Sequence, residues 1–137
     1  MEEAEDIIDE IVMLPTGCVE VTLAGKLPCK YIIHAVGPNM NDPSQLGIDR
    51  NQLLIFAVNN ALKMADTLGC ESIALPAIAT GSFSFPKKKC AQVMIDCVVN
   101  YVTTSEIPTR LKEIRLINID KKTVNEFINE FDKRFDN

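Results

Sequence analysis

The sequence lacks the features that mark membrane, secreted and nucleic-acid-binding proteins. Its 137 residues contain no apolar run near the roughly 18 residues that a membrane-spanning helix requires. The first residues are acidic, whereas a secretory signal starts with basic residues followed by an apolar segment. The 14 basic residues are outnumbered by 19 acidic ones, so the formal net charge of −5 disfavours nonspecific binding to nucleic acid or to an anionic membrane. We therefore expect an intracellular protein, cytoplasmic or nuclear, that binds no membrane and for which nucleic acid is a disfavoured partner.

Metal-binding and redox motifs are also absent from the sequence. The five cysteines form no C-x-x-C pair, and His34 is the only histidine. A zinc site needs several ligands at compact spacing, whereas a thiol in an apolar stretch behaves as a small hydrophobe. We expect reduced, buried cysteines, no metal and no cofactor. Because His34 follows two isoleucines in a strand-like run, we expect it to be packed rather than catalytic.

The length and composition fit one globular domain that covers residues 1–137. Apolar residues make up 47% of the chain and charged residues 24%, as in an ordinary folded protein. No repeat, low-complexity tract or linker divides the sequence.

Hydrophobic periodicity predicts alternating helices and strands. Helices are expected over residues 4–13, from about Asp49 to Leu68, from Pro86 to about Tyr101, and from Thr123 onward, where the spacing to Glu126 matches a capping box. Strands are expected over Val19 to Thr22, Tyr31 to Val36, Ser72 to Ile78 and Ile114 to Ile119. This order predicts a three-layer α/β/α fold, with helices on both faces of a mixed, mostly parallel sheet.

Two of these segments carry specific burial predictions. The nearly all-apolar run from Ser72 to Ile78 is typical of a strand that is covered on both faces. The last helix is expected to bury Val124, Phe127, Ile128 and Phe131.

The segment between the most apolar strand and the helix at Pro86 is the best candidate for chemistry. It reads Ala79-Thr-Gly-Ser-Phe-Ser84, and ligands of such sheets bind beyond the carboxyl ends of the strands. Small residues let backbone N–H groups point into one cavity, and a helix N-terminus adds partial positive charge, so the segment suits a phosphate. Three lysines, at 87–89, would raise the local positive potential. The segment is neither a Walker loop nor a dinucleotide fingerprint. The alternative to phosphate binding is that the segment only connects a strand to a helix and that the three lysines are solvent-exposed.

Two stretches resemble the macro domain family, whose members bind ADP-ribose. Leu27 to Pro38 resembles that family's central strand region, and Ser72 to Gly81, continued by Phe83 and Phe85-Pro86, resembles its phosphate loop. The similarity runs from about Pro15 to Phe131. It implies that the backbone of the loop cradles the diphosphate, that Phe83 packs on the distal ribose, and that Ile119 and Asp120 lie near the adenine. The implied ligand-binding residues are Ala79, Thr80, Gly81, Ser82, Phe83, Ser84, Ile119 and Asp120.

The sequence departs from the family pattern in three places. Ser84 stands where glycine is usual, and Ile119 stands where the family often has an aromatic residue. Nothing in Met1 to Leu14 matches the family's first strands, its asparagine-bearing strand or its glycine-rich loop. The resemblance therefore implies an N-terminally truncated macro-domain-like module, or a fragment of a longer one. The missing strand lies inside the family's sheet, so we expect a rearranged core or a homodimer.

The expected function is weak, non-catalytic binding of ADP-ribose, or of an ADP-ribosylated protein, through the 79–84 loop. One alternative is a hydrolase acting on ADP-ribose conjugates or ADP-ribose phosphates. The titratable residues that could serve such an enzyme as general base are His34 and Asp120, and neither has an evident orienting partner. A third reading is a degenerate domain that serves only as a protein-interaction surface. RNA binding through the lysines at 87–89 is the weaker case because the protein is acidic.

Overall fold

A computed structural model describes residues 17–43, 47, 49–81, 83–104, 108–118 and 120–135. The predicted helix over residues 4–13 lies outside these residues. In chain order the elements are β1 (Val19–Leu23), β2 (Tyr31–Ala35), α1 (Arg50–Thr67), β3 (Ser72–Leu75), α2 (Lys87–Thr104), β4 (Glu113–Leu116) and α3 (Lys121–Phe135).

Strands β1 and β2 form an antiparallel hairpin, in which Val19 lies opposite Ala35. His34 sits within this hairpin, with its Nε2 atom 3.1 Å from the hydroxyl of Thr22. Desolvation lowers the pKa of His34, and the nearby Glu20 carboxylate offsets only part of that shift. His34 is therefore packed in the hairpin, as the sequence predicted.

Strands β3 and β4 pair in parallel, with Ser72 opposite Glu113 and Leu75 opposite Leu116. Helix α2 connects them, and helix α1 connects β2 to β3, as expected for a strand–helix–strand fold. Asp49 caps α1 by accepting the backbone N–H of Asn51 at 3.0 Å.

Helices α1 and α2 supply most of the residues of the buried core cluster. Helix α1 packs along α2, and α2 packs along α3, so these helices form one layer. One side of α1 is buried, and it is formed by Leu54, Val58, Ala61, Leu62 and Ala65. They pack with Cys90, Met94 and Cys97 of α2 in one cluster. None of the described helices is long and apolar enough to cross a membrane.

The cysteines only partly follow the prediction of burial. Cys90 and Cys97 are buried, whereas Cys29 is exposed in the turn of the hairpin; all five thiols are free. Burial raises the pKa of Cys90 to about 12 and that of Cys97 to about 11, so both thiols are protonated at neutral pH. These two residues act as small hydrophobes in the core.

Among the described residues the strands form two separate pairs, β1–β2, which is antiparallel, and β3–β4, which is parallel. The mixed character is as predicted, but parallel pairs do not predominate among them. β3 ends at Leu75, three residues earlier than predicted, because Pro76 has no N–H to continue a ladder. Ala74 is exposed, so the prediction of a strand covered on both faces is wrong there. Along β3 and β4, exposed residues alternate with more buried ones, as expected where one face of the pair is covered.

The last helix starts earlier than predicted, and it buries its predicted apolar residues only in part: Val124 and Phe127 are half-buried, and Phe127 packs against the core. It begins at Lys121 and is capped by Asp120, which accepts the N–H of Lys122 and the hydroxyl of Thr123, so the capping box at Thr123 is wrong. Phe131 is 53% exposed and Ile128 is 49% exposed, contrary to the expected burial. Periodicity identifies the apolar side of a helix, but it does not show whether a neighbour covers that side.

Candidate functional site

The loop 76–86 leaves the carboxyl end of β3 and meets the chain that leaves β2. Gly37 is the contact point between the two. A Cβ atom added to Gly37 would lie 2.6 Å from Cγ2 of Ile78 and 2.9 Å from Cβ of Ala79. Only glycine permits this close approach, so Gly37 fixes where the loop begins.

The loop is folded back on itself by short hydrogen bonds. The N–H of Phe85 donates to the carbonyl of Ala79 at 2.8 Å, and the N–H of Ser84 donates to the carbonyl of Gly81 at 3.0 Å. Ala79 and Ser84 have φ values of 68° and 63°, in the left-handed region that non-glycine residues rarely adopt. Such strain persists only where surrounding contacts hold the backbone in place.

A second segment holds the loop from outside. The N–H of Met40 donates to the carbonyl of Phe83 at 2.9 Å, and the side-chain amide of Asn41 donates to the hydroxyl of Ser84 at 3.3 Å. Phe85 is buried in the core directly before α2. The loop is thus held by its own hydrogen bonds, by the contacts with Met40 and Asn41, and by the burial of Phe85.

Several loop amides remain available to a ligand. Among the hydrogen bonds between described residues, the N–H groups of Ala79, Gly81 and Phe83 donate to none, whereas those of Ser84 and Phe85 are used within the loop. Gly81 is exposed, and a Cβ atom added to it would have no neighbour within 4 Å. Helix α2 starts at Lys87, so its own first amides and its positive dipole end lie beside these donors. The arrangement can bind an anion without a charged side chain.

The predicted site residues fall into three groups. The structure brings Ala79, Thr80, Gly81, Phe83 and Ser84 together in the one loop described above. Ser82 and Ile119 lie outside the described residues, so their roles stay predictions. Asp120 reaches the start of α2 through an ion pair with Lys87, whose Nζ lies 2.6 Å from Oδ2 of Asp120.

The Asp120 carboxylate is fully engaged at the junction of α2 and α3. It accepts from Lys87, from the hydroxyl of Thr123 at 2.7 Å and from the N–H of Lys122 at 3.2 Å. The hydrogen bond from Lys87, followed by that from Thr123, lowers the pKa of Asp120 from 3.8 to about 2. A carboxylate held in this way is a weak base, so it is poorly suited to activate water.

Lys87→Met is expected to raise the pKa of Asp120 from about 2 towards 3.8, because it removes the strongest of these bonds. In the wild type, the stabilising effect of the pair is present above pH 3.8 and is lost as the pH falls towards 2. A carboxyl-detected NMR titration measures the shift. Lys89→Met is the matched control, since Lys89 is an exposed lysine in the same helical turn. An unchanged pKa in Lys87→Met would show that the ion pair is not formed.

The lysines of α2 supply less positive charge than the sequence suggested. Lys87 is neutralised by Asp120, and Lys88 lines a shallow surface depression together with Glu126 and Glu130 of α3. The ion pair with Asp120 reduces the expected contribution of Lys87 to a positive potential, whereas the contributions of Lys88 and Lys89 stay predictions. Backbone amides are therefore the groups of this loop that could bind an anion.

Sequence reasoning missed two residues that shape the site. Met40 holds the loop through its backbone N–H, and no side-chain pattern marks such a role. Lys87 was grouped with its neighbours as a source of charge, although it is the one that binds Asp120. Gly37 was recognisable from the sequence, because a Gly-Pro pair directly after a strand indicates a turn at the edge of the sheet where ligands bind in such folds. Among the described residues, no three His, Cys, Asp or Glu side chains are placed to hold a metal ion.

Comparison with known sequences gives a consistent result. The model of the Macro domain family matches residues 1–94. An uncharacterized protein of Thermotoga maritima is 40% identical over 130 residues, which are 95% of this chain and 21% of that protein. A protein of Escherichia fergusonii named O-acetyl-ADP-ribose deacetylase is 38% identical over 97 residues, which are 71% of this chain and 53% of that protein. The chain thus spans about half, or less, of the length of these two relatives.

The fold matches solved structures as well. A variant of the Oceanobacillus iheyensis macrodomain, solved with ADPR, superimposes with a TM-score of 0.78 at 23% sequence identity. The match covers 97% of this chain and 69% of that one. At this identity the similarity establishes the fold alone.

Proposed function

This chain belongs to the macro domain family, and from that premise we propose that it binds ADP-ribose through the backbone of its 79–84 loop. The observation that carries the proposal is that the N–H groups of Ala79, Gly81 and Phe83, close to the N-terminus of α2, donate to no described residue. Diphosphate oxygens are strong acceptors, and charge-assisted bonds to backbone amides are about twice as strong as neutral ones. The open space at Gly81 lets the diphosphate approach the backbone closely.

The remaining contacts of the ligand are proposed from the same loop and its surroundings. Phe83 is half-buried and offers an apolar surface to the distal ribose. The adenine is proposed to lie by Ile119 and Asp120, near the start of α3, where an aliphatic side chain replaces ring stacking. The biological ligand is proposed to be free ADP-ribose or an ADP-ribosylated protein.

We further propose that binding is weak and not accompanied by catalysis. Neither of the two titratable candidates is placed to act as a general base at the loop. Asp120 is held by Lys87 and Thr123, and His34 bonds to Thr22 within the β1–β2 hairpin. Each hydrogen bond that the ligand does not make reduces the binding free energy by about 0.5–1.5 kcal/mol.

A second candidate function is ester hydrolysis on an ADP-ribose derivative, favoured by the 38% identity to the protein named O-acetyl-ADP-ribose deacetylase. This reaction needs an activated water near the distal ribose. Incubation of the protein with O-acetyl-ADP-ribose, with release of acetate measured against a Gly81→Glu control, separates an enzyme from a binding module.

Titration calorimetry of the wild-type protein tests the proposed binding. We expect heat of binding with ADP-ribose and none with adenosine, because adenosine lacks the diphosphate that the loop amides accept. Ligand at about 1 mM is sufficient to detect a binding free energy of about −4 kcal/mol. Absence of heat with ADP-ribose at that concentration, from folded protein, would refute the proposal. It would leave protein interaction as the remaining role of the domain.

A further inference from the structure

Cys90, in the first turn of α2, contacts the backbone at the start of the 79–84 loop. Its Sγ atom lies 3.4 Å from the carbonyl oxygen of Ile78, the residue directly before the loop. The Cys90 side chain is completely buried. Burial raises the pKa of this thiol to about 12, so at neutral pH the thiol keeps the proton that it donates. Cys90 therefore does more than fill space in the core.

The Ile78 carbonyl is the better of the two acceptors that this thiol reaches. The other acceptor is the thioether of Met94, with 3.5 Å between the two sulfur atoms. The thiol has one proton, and a thioether is only a weak acceptor. Among the described residues, no backbone N–H donates to the Ile78 carbonyl. Because a carbonyl that faces the core without a donor is costly, the thiol is the group that stabilises it there.

The bond to the Ile78 carbonyl fixes the direction of the Ala79 N–H. No described peptide bond is cis, and in a trans peptide the C=O of one residue and the N–H of the next point in opposite directions. Since the Ile78 carbonyl points to the buried sulfur of Cys90, the Ala79 N–H points away from it. The following peptide is held in the same way, because the carbonyl of Ala79 accepts the N–H of Phe85 at 2.8 Å.

The backbone of Ala79 needs such anchors because its φ of 68° is strained. A non-glycine residue in the left-handed region keeps this conformation only where its surroundings hold it. A rotation of the peptide between Ile78 and Ala79 would relieve the strain. The same rotation would turn the Ala79 N–H towards the core and the Ile78 carbonyl outward, where its oxygen would repel an anion.

We propose that Cys90 is a positioning residue for the diphosphate of ADP-ribose: its thiol holds the Ile78 carbonyl in the core and so keeps the Ala79 N–H directed at the ligand. This proposal rests on the proposed binding of ADP-ribose by the 79–84 loop. It adds a side chain that does not touch the ligand and acts on it through the backbone.

Calorimetry with ADP-ribose on three variants of the full chain tests the positioning role. Cys90→Ala is expected to raise the dissociation constant about fivefold, the factor for about 1 kcal/mol, which is the strength of a weak hydrogen bond. Cys97→Ala is the matched control, because Cys97 is also buried on α2 but lies about 10 Å further along the helix. It loses the same atoms and is expected to bind like the wild type. Cys90→Ser keeps a proton donor, so it is expected to bind more tightly than Cys90→Ala.

Two further measurements separate positioning from packing. Urea unfolding is expected to give similar free energies for Cys90→Ala and Cys97→Ala, since each variant loses one buried sulfur atom. In the ligand-free protein, the carbonyl ¹³C NMR signal of Ile78 is expected to shift in Cys90→Ala and to stay in place in Cys97→Ala, because this signal responds to hydrogen bonding.

The positioning role is overturned if Cys90→Ala binds ADP-ribose as tightly as Cys97→Ala does. It is equally overturned if Cys90→Ser binds no more tightly than Cys90→Ala, or if the Ile78 carbonyl signal is the same in both alanine variants. In these cases the wild type still binds ADP-ribose, and Cys90 only packs in the core. If the wild type itself gives no heat with ADP-ribose, the proposed function fails, and the positioning role fails with it.

Discussion

Gly81→Glu is expected to weaken ADP-ribose binding by about 100-fold or more, because it removes access to at least two charge-assisted hydrogen bonds worth about 1.5–3 kcal/mol each. The new side chain would project from the exposed loop in front of the Gly81 and Phe83 amides. Its carboxylate would also repel the diphosphate. The free energy of unfolding is expected to change little, since a Cβ atom at Gly81 has no neighbour within 4 Å and its φ is not in the left-handed region.

Asn100→Glu is the matched control for this variant. Asn100 is exposed on α2, 13 residues after Lys87, which places it about 20 Å along the helix from the loop. The substitution adds the same charge and is expected to leave ADP-ribose binding unchanged. Calorimetry gives the affinity, and thermal unfolding confirms that both variants are folded. If Gly81→Glu binds as tightly as the wild type, the ligand does not occupy the 79–84 loop.

Gly37→Ala is expected to lower the free energy of unfolding by about 1–3 kcal/mol, the usual cost of overpacking a tight contact. The added methyl group would lie 2.6 Å from Cγ2 of Ile78, so one of the two segments must move. The clash with Ala79 falls on a residue that already has a left-handed φ of 68°. We therefore expect the loop to shift and ADP-ribose affinity to fall together with stability.

Gly81→Ala is the control for Gly37→Ala, because it makes the same chemical change where there is free space. Its free energy of unfolding is expected to equal that of the wild type or to rise slightly, since alanine restricts the unfolded chain more than glycine does. Urea unfolding of the three proteins measures the differences. Equal stability of Gly37→Ala and Gly81→Ala would contradict the close contact between Gly37 and Ile78.

The helices and the 79–84 loop were predictable because their signals are local. Hydrophobic periodicity predicted a helix from about Asp49 to Leu68, and α1 covers Arg50–Thr67, followed by Gly69 with a φ of 75°. The sequence Ala79 to Pro86 indicated a small-residue loop ahead of a helix. The resemblance to the macro domain family indicated the order of the helices and of this loop along the chain.

The division of the sheet and the outward face of α3 were not predictable in this way. The sequence marks Ile128 and Phe131 as apolar, but their exposure depends on which elements pack beside α3. Arg134 and Glu130 pair on the side of the helix that faces Asp96 of α2, so polar contacts fix its orientation. A periodic pattern contains no information about such contacts.

The amino-acid sequence by itself determined the order of the elements, the α/β fold and the position of the loop, because each depends on residues that are neighbours along the chain. Only the tertiary structure decided which loop amides are free, that Lys87 binds Asp120, and that Met40 and Asn41 hold the loop. The residues in the last two contacts are 33 and 43 positions apart. Such contacts form only when the whole chain has folded, and they determine which polar groups remain available to a ligand.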